Sequence, residues 1–445
     1  MSKLGERAVV CGAGMGGLLA ARVLADFYQT VAVVERDKLS DTVDQRRGVP
    51  QGRHFHVLWS RGAQELARLF PGINEELVAD GAAVCDDGDL SQVSIRVAGH
   101  ELHRSGKFSD PSAVALHLLS RPLLESHVRR RVGAIDNVEI LDGHDFVEPI
   151  APTPHRVTGA DIVNRDTGAQ QRLDADLVVD AMGRSARTPA FLDGLGFGRP
   201  VAERSTTNAN YASLLMRIPP GIIKEKMTFV VPEPQKPTGG AFSVYEHDTW
   251  IFTLTRLADN EPPDDLTGMI RMATQFAPPA LLRALKRGEP LGEISVFRYP
   301  GAIWRRYDKL DRFPAGFLVF GDAICSTNPI YGQGMTVAAL EAVALQECLA
   351  EANGDLSRRF FAAAAEHIGP MWASNQVNDL YMDNGSPDHS PSKEMLDFRE
   401  AVLSAAESSP ALTEKLFRSM NLVDPPTTAR FSPRPVAESG GGYAR

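Results

Sequence analysis

Gly12, Gly14 and Gly17 stand as G-x-G-x-x-G inside RAVVCGAGMGGLLAARVLADFYQTVAVVERD, residues 7–37, with Met15 between them and Glu35 following 23 positions after Gly12. Residues of these types at this spacing bind rather than react. Gly12 permits a tight turn, Gly14 lets backbone approach a pyrophosphate at a helix N-terminus, and Gly17 lets that helix pack against a strand. Glu35 falls where a carboxylate accepts hydrogen bonds from an adenosine ribose. A glycine-rich turn alone says little, because any well-packed β-α unit can carry one. The full series of strand, turn, helix, strand and acid points to a dinucleotide.

A second stretch, GFLVFGDAICSTNPIYGQGM at residues 316–335, separates FAD from NAD. Phe317 to Phe320 reads as a buried strand with Asp322 at its carboxyl end. Pro329, Gly332, Gly334 and Met335 then lead into a helix with Val337, Ala338, Leu340 and Ala344 on its core side. An acid at that place can accept the hydroxyls of a ribityl chain. The uncharged helix start offers N–H groups and the positive end of a dipole to a reduced isoalloxazine, which is negative near N1 and C2=O. Gly332 and Gly334 let backbone lie against a flat ring. The other reading makes Asp322 an ordinary helix cap; taken with the first fingerprint, FAD is favoured.

Such residues need two scaffolds to hold them. A chain of 445 residues exceeds one ordinary core. Its 43% apolar and 23% charged residues are those of a folded globular protein. Segments 210–218, 227–233, 249–257 and 293–304 are short, β-rich and punctuated by Pro and Gly, as strands of an antiparallel sheet would be. The expected division is a discontinuous FAD-binding domain (1–75, 112–200, 301–352), a substrate domain inserted into it (76–111, 201–300), a helical region (353–428) and a disordered tail (429–445). Trp250, Arg298 and Tyr299 are the candidates for shaping the substrate cavity.

Several classes are disfavoured. A formal charge of −9 repels nucleic acid. Cys11, Cys85, Cys325 and Cys348 form neither a CxxC pair nor a zinc spacing, and His54 and His56 have no third ligand nearby, so no metal is expected. No apolar run approaches the ~18 residues of a membrane span, and no cleavable leader is visible, so a cytoplasmic protein is expected.

Four motifs in order carry a resemblance: the first glycine turn, the Arg opening a helix in LLSRPLLESHV, the turn in DLVVDAMGRSA and the FGDAICSTNPIYGQG stretch. Together they resemble the aromatic-hydroxylase superfamily of flavoprotein monooxygenases, although DAMG at residues 180–183 departs from the usual ADG. Within it, RRGVPQGRHFHVLWSRGAQELARLFPG (46–72) and NPIYGQGM are similar to the polyether epoxidases of the lasalocid and monensin type. The resemblance implies an α/β fold, with a Rossmann-like FAD-binding domain in a three-layer ββα arrangement, an inserted antiparallel-sheet domain and C-terminal helices. By motif position it assigns Gly12, Gly14, Gly17, Glu35, Arg36, Arg121 and Asp322 to FAD, and adds Arg46 and Gln51 from the epoxidase-like loop. Ser120 and Pro122 are explained by helix capping alone. The implied activity is epoxidation of C=C bonds in an apolar polyketide-like metabolite through a flavin C4a-hydroperoxide. Dioxygen is the co-substrate, and the electrons come from NAD(P)H or a separate flavin reductase, because a second dinucleotide fingerprint is missing. Aromatic hydroxylation and a non-redox FAD-binding cyclase are the alternatives.

Overall fold

Alternation along five short strands decides the layering. In a computed structural model describing residues 3–205, 207–257, 261–351, 354–383 and 392–425, the strands Phe317–Val319, Leu177–Asp180, Gly5–Cys11, Tyr28–Val34 and Val138–Leu141 pair in that order, all parallel. Strands buried on both faces read as continuous apolar runs, as AVVC and VAVV do. Val9, Cys11, Val34 and Val178 face a three-stranded antiparallel sheet through Ala160, Ile162 and Leu173. Val10, Val33 and Val179 face the helices Met15–Phe27, Arg121–Gly133 and Gly334–Ala350. The result is the expected three-layer ββα arrangement. The tail expected at 429–445 lies outside the described residues.

A second, eight-stranded sheet is built mainly from Ala209–Arg217, Thr249–Leu257, Thr238–Val244, Met227–Val230 and Ser295–Tyr299. It is antiparallel except that Val93–Val97 adds to Met227–Val230 in parallel. One face carries Ala212, Leu214, Phe242, Phe252 and Leu254 against the helices Leu266–Ala273 and Pro279–Arg287. The other, inner face carries Tyr211, Ser213, Thr253, Phe297 and Tyr299. The segment 293–304 breaks at Pro300 and Gly301, where the expected domain boundary falls. With φ at +106° Gly301 turns the chain into Ala302–Arg305, which belongs to a different sheet with Ala202–Ser205 and Cys325–Ser326. After it, the helix Leu356–Asp383 continues through Pro370, and Lys393–Ala406 and Pro410–Met420 follow.

Candidate functional site

The three glycines of the first turn have different reasons to be glycine. A Cβ on Gly17 would stand 1.8 Å from the carbonyl oxygen of Gly12, and one on Gly12, whose φ is +103°, would stand 2.8 Å from the oxygen of Ala181. Both are required by the protein's own packing. A Cβ on Gly14 would meet nothing within 4 Å, and its φ of −73° suits any residue. Its bareness serves whatever docks on the helix N-terminus behind it, the helix that begins at Met15, itself buried.

Glu35 ends the second strand and is 5% exposed. It accepts the amide of Ala13 at 2.8 Å and that of Asp37 at 2.9 Å, tying the acid to the glycine turn. Arg46, brought in by the loop after Asp37, lies 3.1 Å from Glu35 and 3.3 Å from Asp37, and donates to Glu125 at 2.6 Å and to the carbonyl of Ala13 at 2.8 Å. Glu125 also accepts Arg121 at 3.0 Å. Burial works against the charge on Arg46, but Glu125, Glu35 and Asp37 outweigh it and raise its pKa. Burial likewise opposes ionised Glu125, and Arg121 and Arg46 overcome it, holding the carboxyl below its ordinary range. Glu125 has no motif signal; its position one helical turn after Arg121 is the cue that could have found it. A cavity of about 350 Å³ lies beside this network, walled in part by Asp37, Lys38, Arg46, Arg47 and Arg129. Arg36, by contrast, points away, 60% exposed and 3.9 Å from Asp145. Gln51 is half-buried, and only its backbone oxygen is engaged, by the amide of His54 at 3.1 Å.

At the other stretch, Asp322 is exposed to solvent yet ringed by protein. That surrounding bulk raises its pKa by desolvation, while Arg121 and Arg184 pull it down. Exposure with dense surroundings describes a carboxylate on the floor of an open cleft. A Cβ on Gly334 would lie 3.8 Å from its Oδ1, with no closer obstruction, so Gly334, like Gly14, is bare for no reason of internal packing. Gly332 differs: its φ is +64° and a Cβ there would press on Trp59 Nε1 at 2.9 Å. Trp59 donates to the carbonyl of Tyr331 at 2.9 Å. Pro329 is exposed and Met335 half-buried at the edges of this loop.

Asp379, on the long helix, organises the loop from beneath. It is 3% exposed and accepts Tyr331 Oη at 2.6 Å, Asn328 Nδ2 at 3.2 Å and Ser205 Oγ at 2.5 Å. Asn328 Oδ1 in turn accepts Tyr211 Oη and the amide of Ile330, both at 3.1 Å. The helix that delivers Asp379 lies within the helical region expected at 353–428 and runs on through Pro370.

The inner face of the large sheet meets the loop 51–59. His54 Nδ1 is 2.8 Å from Ser213 Oγ, Ser213 Oγ is 2.7 Å from Thr253 Oγ1, and the amide of Phe55 donates to Thr253 at 3.1 Å. Phe297 and Tyr211 pack 5.6 and 6.4 Å from the His54 ring. Burial, with Arg53 nearby, lowers the pKa of His54 to about 4, and burial, with Arg121, does the same to His56. Both are neutral at pH 7. Tyr299 belongs to this wall. Trp250 and Arg298 do not, which corrects their assignment to the cavity. Strand alternation puts Trp250 on the outer face, stacked on Phe242 at 4.8 Å, and sends Arg298 outward to Glu261, 68% exposed.

The cradle fits FAD: bare glycines at two helix starts, an acid and arginines at one end, and a cleft-floor acid at the other. A family profile described as the FAD binding domain matches residues 6–359. The chain belongs to that family. It is 36% identical over 429 residues to Protein Rv3254 of Mycobacterium tuberculosis, covering 94% of this chain and 90% of that one. Among solved structures it is similar to PqsL, a probable FAD-dependent monooxygenase from Pseudomonas aeruginosa (TM-score 0.63, 18% identity, 93% and 99% of the two chains). It is also similar to the p-nitrophenol 4-monooxygenase PnpA from Pseudomonas putida (TM-score 0.66, 16% identity, 95% and 99%). The fold is thus that of FAD-dependent monooxygenases. No helix among the described residues is long and apolar enough to cross a membrane, and no group of His, Cys, Asp or Glu among them could hold a metal ion.

Proposed function

We propose that this protein is an FAD-dependent monooxygenase that epoxidises C=C bonds of an apolar, polyketide-like molecule. Alkene, dioxygen, two electrons and two protons give epoxide and water, the electrons coming from NAD(P)H or a separate flavin reductase. The observation that carries the reading is the pair of helix starts at Gly14 and, beside Asp322, at Gly334, each without a side chain although the protein's own packing leaves room for one. Bound FAD supplies the activation of dioxygen. The chain's residues do the rest. Asp322 would accept the hydroxyls of the ribityl chain, the amides at the start of Gly334–Ala350 would face negative charge on the reduced ring, and Arg121 and Arg46, held by Glu125, would supply positive charge for the phosphates. Phe297, Tyr211 and neutral His54 form a wall in which the Tyr211 hydroxyl is taken up by Asn328 and His54 Nδ1 by Ser213, which leaves ring faces for an unsaturated substrate. The similarity of residues 46–72 to polyether epoxidases supports the alkene in particular.

A second reading, hydroxylation of an aromatic ring, is favoured by the polar residues of the same wall, Ser213, Thr253 and Tyr211. Turnover under isotopically labelled dioxygen separates the two. A labelled epoxide supports the proposal and a labelled phenol supports the second reading. An unlabelled, cyclised isomer formed without reductant would overturn both and make the flavin a scaffold.

A further inference from the structure

Where the cleft meets the large sheet, two polar groups lack the partners their surroundings call for. Arg184 sits on the turn Gly183–Ser185, half-buried, beside Asp322: a Cβ on Gly183 would lie 4.0 Å from that of Asp322. Its guanidinium leans over the ring of Tyr299, 5.6 Å from the centroid, with its charge acting on that phenol, and it donates a long hydrogen bond, 3.5 Å, to Ser326 Oγ. Arg46 and Arg121 share Glu125, and Arg306 has Asp308 and Glu203, whereas Arg305, next to Arg184, is held by the carbonyls of Ala323 and Arg184. No carboxylate among the described residues forms an ion pair with Arg184. Asp322 feels its charge from farther away, and Asp379 is already engaged by three donors.

The second group is the Tyr299 hydroxyl. Tyr299 is 5% exposed, and its oxygen is buried without a hydrogen-bond partner. Burial and the negative charge of Asp379 keep it a neutral phenol, with Arg184 acting in the opposite sense, so it is a donor without an acceptor. Buried hydroxyls are satisfied in nearly every folded protein. A guanidinium without a carboxylate and, beside it, a buried phenolic O–H without an acceptor fit an oxygen that carries charge.

We propose that Arg184 and Tyr299 form an anion subsite at the junction of the cofactor cleft and the large sheet, and that the substrate is an organic acid whose carboxylate docks there. The inference rests on the monooxygenase reading but adds to it: the reacting double bond or ring belongs to a molecule with an apolar body and one acidic end. The body lies along Phe297 and Tyr211, and the carboxylate takes the Arg184 fork and the Tyr299 hydroxyl. No bond is made or broken at this subsite.

Oxidised, FAD-loaded protein titrated with oleate and with methyl oleate, below their micelle-forming concentrations and without reductant, tests it through the perturbation of flavin absorbance. The acid should bind roughly tenfold or more tightly than the ester, the scale of a charge-assisted pair. Arg184→Gln should erase that difference, Tyr299→Phe should reduce it, and Arg184→Lys should restore part of it. Ester binding and FAD content should stay unchanged. Equal binding of acid and ester to the unaltered protein, or failure of both to perturb the flavin, overturns the proposal. So does loss of FAD from Arg184→Gln, which would make the arginine a cofactor contact. Because no turnover is involved, the subsite can fail while labelled-oxygen insertion succeeds, and the reverse.

Discussion

At the scale of single residues, Asp322 is the most informative test, because it lies on the cleft floor and its side chain makes no hydrogen bond among the described residues. Replacement by Ala should leave folding intact and remove a charge-assisted acceptor for the cofactor. Bonds of that kind are worth ~1.5–3 kcal/mol, so FAD affinity should fall by roughly ten- to a hundredfold, read by fluorescence titration of the apoprotein. Unchanged affinity would leave Asp322 as a turn-former only. His54 and His56 make a pH prediction. Their folded pKa values are lowered from 6.5 to about 4, chiefly by burial. The unfolded chain therefore takes up protons first as pH falls. Their contribution is complete above pH 6.5 and is lost on descent towards pH 4, at up to about 1.4 kcal/mol per pH unit for each histidine. Urea unfolding across that window should show His54→Gln with a shallower acid slope than the unaltered protein. Equal slopes would mean that His54 protonates as easily folded as unfolded.

Among the elements, the first β-α-β unit separates architecture from ligand. Gly17→Ala drives a Cβ to 1.8 Å from the Gly12 oxygen, so strand and helix must part. The loss should reach or exceed the ~1–3 kcal/mol typical of overpacking. Gly14→Ala meets nothing within 4 Å and keeps an ordinary φ. It should melt like the unaltered protein yet take up FAD poorly, because its methyl group stands where the pyrophosphate approaches. Paired thermal melts and flavin-content measurements read both, and similar behaviour of the two variants would show that Gly14 also serves packing. The unit was legible because it is contiguous: a strand, its turn, its helix and the acid at the next strand end fall within residues 7–37, and local spacing encodes all of them.

Across the whole molecule, Asp379 joins parts that are distant in sequence: Asn328 and Tyr331 on the flavin-side loop, Ser205 at the end of the strand that pairs with Ala302–Arg305 and, through Asn328, Tyr211 on the large sheet. Asp379→Ala removes the acceptor of Ser205 Oγ and Asn328 Nδ2, while Tyr331 Oη keeps the carbonyl of Asn375 at 3.2 Å, a cost of ~1–3 kcal/mol. It should also loosen the loop, so that FAD dissociates faster even where the protein remains folded. Stopped-flow release of the flavin checks this, and an unaltered rate would confine Asp379 to packing.

The first β-α-β unit with Glu35 at its end, and the turn that places Asp322 after Phe317–Val319, were legible in the chain because each is written in neighbouring residues whose periodicity and turn chemistry act locally. Only the tertiary structure decided the rest. Arg46 finds Glu125 across 79 positions and Asn328 finds Asp379 across 51, and no local pattern specifies such partners. Trp250 and Tyr299 looked alike as aromatic residues in β-rich segments. Strand register turned one to the outer core and the other to the wall beside Arg184, because a strand sends successive side chains to opposite faces and the packing of the sheet determines which face meets the cofactor.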